Sequence, residues 1–126
     1  MTVEGIGYIN ECLESIEIPY EFKEWTSSTI PDTYWVGDYI DVPIVNESGE
    51  SESTFILTGT TKNKYLELET MKEQIEVMFP YYGRTDILEN GNGIAITFTN
   101  AQPLPSVEVG VRRIQVNLNV KEYRGN

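Results

Sequence analysis

The sequence predicts an α+β domain in which an antiparallel β-sheet carries two helices on one face, in the order α-β-β-β-α-β-β-β. Two apolar stripes recur at helical spacing, one near the start of the chain and one near its middle. Each is followed by runs of β-branched and aromatic residues that alternate with polar ones. Between two such runs lies Asn90-Gly91-Asn92-Gly93, and Asn-Gly supplies the positive φ angles that a tight hairpin requires. A chain of 126 residues, 40% of them hydrophobic, suits a single domain over residues 1–126 with one core.

The first helix is expected over residues 3–17, where Ile6, Ile9, Leu13 and Ile16 form the stripe and Glu11, Glu14 and Glu17 fall mostly opposite. Pro19 ends it, because proline disfavours helical geometry in the residue before it. A short strand follows at 19–25, then a polar turn at 26–32. The next strand is expected at 33–45, where Tyr34, Val36, Ile40, Val42 and Ile44 share one parity. Residues 46–53 contain no apolar side chain and read as a mobile hairpin loop that buries nothing. A third strand at 54–61 leads to the second helix at 64–79, where Leu68, Met71, Ile75 and Met78 step by helical intervals. The hairpin joins strands at 84–88 and 94–99, and 100–106 reads as a loop with Pro103 and Pro105.

The last run changes parity. Val107, Val109 and Val111 share one, whereas Ile114, Val116, Leu118 and Val120 share the other. A strand cannot keep one buried face through such a switch, so a β-bulge or a break is expected at Arg112-Arg113.

Charge narrows the function. Residues 1–89 hold 18 acids and 5 bases (−13), and residues 90–126 hold 2 acids and 4 bases (+2), giving −11 in all. Such a chain repels phosphate backbones and anionic lipid surfaces, which argues against direct nucleic-acid binding. It reads either as an acidic solvated surface or as a self-complementary molecule, acidic at one end and mildly basic at the other. The start of the chain lacks the pattern of a signal peptide, and one cysteine allows no internal disulfide, so a reducing cytosol is expected. No apolar run is long enough to span a membrane.

No catalytic, cofactor-binding or metal-binding residue is assigned, and the chain is expected not to be an enzyme. It has no histidine, which removes the commonest general base near neutral pH and the commonest metal ligand. Cys12 lies in the first helix beside Leu13 and reads as a packed thiol. The glycines form no phosphate-binding loop. Asp38 and Asp41, and Glu47, Glu50 and Glu52, lie near one another in sequence. A glycosidase pair needs carboxyl groups roughly 5 to 9.5 Å apart across a cleft, which a domain this small rarely builds.

Binding is the better reading of the remaining chemistry. Of the adjacent Tyr34 and Trp35, one must point away from the core; the pair reads either as ordinary two-sided packing between sheet and helices or as an interface anchor, a role in which both residue types are favoured. Arg112 and Arg113 are adjacent bases at the parity switch, where a bulge would aim both outward toward another subunit; the alternative is that both are solvated or pair within their own subunit. Arg112, Arg113, Trp35 and Tyr34 are therefore the expected subunit-interface residues.

Element order and local signatures resemble the tail terminator and minor capsid, or head–tail completion, proteins of long-tailed bacteriophages. The resemblance rests on a short first helix and a Pro-led strand, Ile18-Pro19-Tyr20-Glu21-Phe22. A Pro-x-x-Tyr strand follows, Pro31-Asp32-Thr33-Tyr34-Trp35-Val36. Next come a strand and helix at 54–61 and 64–79, and a long final strand at 114–124 ending in charge. The stretches at 46–53 and 100–106 have no counterpart in that pattern. The resemblance implies a homo-oligomeric ring, often of six, that caps the tail tube and docks to the head connector. Such a subunit assembles in the host cytoplasm and ends in the virion. An acidic lining would let DNA phosphates slide past. A contrasting reading of the same charge is an acidic DNA mimic that occupies the basic groove of a nucleic-acid enzyme.

Overall fold

The computed structural model describes residues 1–42, 49–106 and 108–125. It has the expected element order: α1 (Val3–Ser15), β1 (Tyr20–Phe22), β2 (Thr33–Val42), β3 (Glu50–Lys62), α2 (Tyr65–Met78), β4 (Arg84–Ile87), β5 (Gly93–Leu104) and β6 (Val111–Tyr123). The strands form one six-stranded sheet in the order β1-β2-β3-β6-β5-β4. All neighbours are antiparallel except β1, which runs parallel to β2.

The spine is β3 against β6, paired in unbroken register from Glu50↔Tyr123 to Lys62↔Val111. Alternation sends Phe55, Leu57, Ile114, Val116, Leu118 and Val120 to one face. Both helices cover that face through Ile9, Leu13, Leu68 and Ile75. Among the described residues no helix lies on the opposite face.

α1 starts on a buried carboxylate. The Thr2 hydroxyl accepts the Gly5 amide (3.0 Å) as N-cap, and Thr2 donates its amide (3.1 Å) and hydroxyl to Glu122 at the end of β6. The helix stops at Ser15, two residues before the expected end. Glu17 turns left-handed (φ 58°), and the Ile18 amide bonds back to the Leu13 carbonyl at 3.1 Å. Ile18 and Leu13 both lie in the core.

Several strand limits differ from expectation. Residues 46–53 are not simply a loop: β3 begins at Glu50, and Ser53 is buried, donating its hydroxyl to Asp41 Oδ1 at 2.8 Å. Residues 43–48 lie outside the described residues. The N-terminal ammonium also bonds Asp41, and with Ser53 it holds that carboxyl below the usual range. Residues 100–104 are strand rather than loop, because a bulge between Phe98 and Asn100 lets β5 continue along β6 to Leu104. β4 reaches only to Ile96 on β5, so Pro103 costs no hydrogen bond to an outer strand.

No bulge occurs at Arg112-Arg113. The parity switch is a break just upstream, where Gly110 turns (φ 82°) and Val109 stands fully exposed. Val107 lies outside the described residues. In β2 the buried parity is Thr33, Trp35 and Gly37, so the apolar Tyr34, Val36 and Ile40 lie on the uncovered face. Bulk decided this: the Trp35 ring and Leu68 fill the space left by the missing side chain of Gly59.

A methyl group at residue 59 would sit 2.7 Å from the Trp35 ring and Leu68 Cδ1. Alanine in place of a strand glycine ordinarily gains about 0.5–1 kcal/mol. Here Gly59→Ala is expected to lose about 1–3 kcal/mol through overpacking. Urea unfolding measures it, and an unchanged or raised midpoint would contradict this packing.

Candidate subunit interface

Strand β3, α2 and β6 meet at one end of the sheet, where bases concentrate. Lys62 closes β3, Lys64 precedes α2, and Arg112 and Arg113 lie opposite Thr61 and Thr60. Regular alternation sends the two arginines to opposite faces, rather than outward together from a bulge. The Arg112 guanidinium lies 5.7 Å from the centre of the exposed Tyr65 ring. Arg113 Nη2 donates to the Pro105 carbonyl at 3.2 Å. Among the described residues neither arginine has a carboxylate partner, whereas Lys64 pairs with Asp32 at 3.1 Å. Val109 projects beside them over a groove of about 470 Å³ lined by Asn63, Tyr65, Gly110 and Arg112.

The expected aromatic anchors divide. Trp35 is 0% exposed, and its indole N–H points to Met71 Sδ at 3.4 Å. It is a core residue with no surface to offer a partner. Tyr34 lies on the uncovered face against Trp25, with ring centres 5.4 Å apart. Along β6 that face is polar and internally bonded: Asn117 donates to Asn100 (2.7 Å), and Asn119 to Glu52 (2.6 Å).

A second feature had no signal in the sequence. One flank of α1 and the β4 segment enclose a cleft of about 310 Å³ lined by Glu4, Gly7, Tyr8, Glu11 and residues 86–89. Four of these are acids: Glu4, Glu11, Asp86 and Glu89. Tyr8 joins the two walls, since its hydroxyl accepts from Arg84 Nε (2.8 Å) and donates to Asp86 Oδ2 (3.1 Å). Burial pushes the Tyr8 hydroxyl up to about 12, against the opposing pull of Arg84. Burial also raises the Cys12 thiol, so it stays protonated and a poor nucleophile.

Among the described residues, no three or more His, Cys, Asp or Glu converge as a cation site. No described helix is long and apolar enough to cross a membrane. No protein-family model matches the chain, and neither does any curated protein.

Tyr8 and Tyr20, whose buried hydroxyl has no hydrogen-bond partner among the described residues, are both raised by desolvation. The folded state therefore holds protons that the unfolded chain releases near pH 10. Their contribution to stability is complete below pH 10 and falls as pH rises toward 12. Absorbance titration is expected to show Tyr8 and Tyr20 ionising well above pH 10. Tyr8→Phe and Tyr20→Phe should each remove one late step. A titration that neither Tyr8→Phe nor Tyr20→Phe changes above pH 10 would contradict the assigned environments.

Proposed function

We propose that this chain is a non-enzymatic structural subunit of a bacteriophage particle, forming a ring that caps the tail tube and joins it to the head. The observation that carries the reading is the separation of charge along one rigid strand. The arginines at the start of β6 have no carboxylate partner among the described residues, and the acidic cleft adjoins the strand's other end. Asp86 is opposite Ile94, which is opposite Glu122. Residues 112 and 122 are ten apart in the strand, or about 33 Å at 3.3 Å per residue. Unlike surfaces at opposite ends support heterologous, head-to-tail contacts, which close into rings when the rotation per subunit allows. The element order agrees with the terminator and head–tail completion resemblance.

In this reading the partners are copies of the chain, the tail tube and the head connector. DNA passes through without specific binding, and assembly takes place in the host cytoplasm before the subunit becomes part of the virion. The acidic DNA mimic draws on the same net charge, but two arginines without a carboxylate partner among the described residues favour self-association.

Sedimentation of the parent across protein concentration, with negative-stain images, is expected to give a closed ring. Arg112→Glu with Arg113→Glu should be monomeric while keeping its circular dichroism and melting curve. A double variant that assembles like the parent would remove these arginines from the interface. A parent monomeric even at high protein and low salt would sink the ring reading, and salt-sensitive binding to a basic nucleic-acid enzyme would then favour the mimic.

A further inference from the structure

We infer that the cleft between α1 and β4 is the acceptor for the basic end of a second copy of this chain. The assignment rests on the ring reading and names the surface that the arginines meet.

Several other carboxylates are already engaged. Asp32, Asp38, Asp41, Glu50 and Glu69 already pair with Lys64, Lys23, the N-terminal ammonium, Lys121 and Lys72. Glu73 and Glu76 stand on an exposed helical surface that includes Lys72. In the cleft, acids from two elements face one concavity. Glu4, Glu11, Asp86 and Glu89 have no ion-pair partner among the described residues. Arg84, the base on β4, is engaged by the Tyr8 hydroxyl.

Shape and apolar content match as well as charge. The basic end carries a protruding tip, Val109, with Tyr65 beside Arg112. The cleft is concave and bordered by the exposed Ile87. An apolar contact ringed by charged pairs suits a specific interface, and the arginine fork binds carboxylates through paired hydrogen bonds. Because the two surfaces lie about 33 Å apart along β6, one molecule cannot satisfy itself.

The experiment is a charge exchange. Glu4→Lys, Glu11→Lys and Glu89→Lys together reverse the cleft, three lysines then facing Asp86 alone, while leaving the Asp86–Tyr8–Arg84 bonds intact. Alone, this variant is expected to be monomeric with the parent's circular dichroism and melting curve. Mixed in equal amounts with Arg112→Glu/Arg113→Glu, it should regain the parent's sedimenting mass, because each reversed surface then finds an opposite one. Should the lysine variant fail to fold, Glu11→Gln with Glu89→Gln serves, with association expected to weaken at least tenfold. A cleft variant that assembles like the parent overturns the acceptor assignment and leaves the ring reading standing. Two monomeric variants whose mixture stays monomeric also overturn the pairing. A parent that never assembles overturns the ring reading and the acceptor together.

Discussion

The antiparallel pairing of β3 with β6 sets almost everything else in the molecule. Its register runs unbroken over both 13-residue strands, so one parity is buried from end to end. Phe55 lies opposite Leu118, Leu57 opposite Val116 and Gly59 opposite Ile114. The gap at Gly59 admits Trp35 and Leu68, which ties β2 and α2 to the spine. At the other end Glu122 seats the start of α1. A slip of one residue would turn every one of these side chains to the wrong face.

The same ladder gives the surface its polarity. A strand is stiff and extended, so groups at its two ends are kept far apart. Arginines without a carboxylate partner among the described residues lie where β6 starts, and an acidic cleft adjoins the sheet where it finishes. Within one molecule these charges cannot neutralise one another. Between molecules they can, through contacts that repeat in one direction. In the ring we propose, the chain's uneven charge serves as a directional assembly signal.

Local signals made most of the architecture legible. Both helical stripes and the Asn-Gly hairpin depend on neighbours in sequence, and all three are present: Gly91 takes its positive φ (89°), and the Leu88 amide bonds the Asn92 carbonyl at 2.8 Å. What escaped was decided by partners distant in sequence. Glu50–Ser53 looks like a polar loop, yet it is strand because Val120–Tyr123 offers it a ladder. Residues 100–104 look like a Pro-containing loop, yet a bulge re-aims them along β6. Tyr34 and Val36 carry the apolar alternation of β2, but the largest side chain, Trp35, claims the core. At the site, Arg112 and Arg113 were visible as adjacent bases at a parity break. The cleft was not, since Tyr8 and Arg84 stand 76 residues apart and only the fold joins them.

Head-to-tail contact between the two ends is the centre of this account, and zero-length carbodiimide coupling reads it most directly. Lys62 stands exposed beside the arginines, and Glu11 and Glu89 line the cleft. Cross-linking under assembling conditions, followed by peptide mapping of the multimer bands, is expected to recover Lys62 joined to Glu11 or Glu89. These links should be missing from the monomer band, where the two ends are too far apart. Multimers linked only through other surfaces, or the same links in the monomer band, would contradict it.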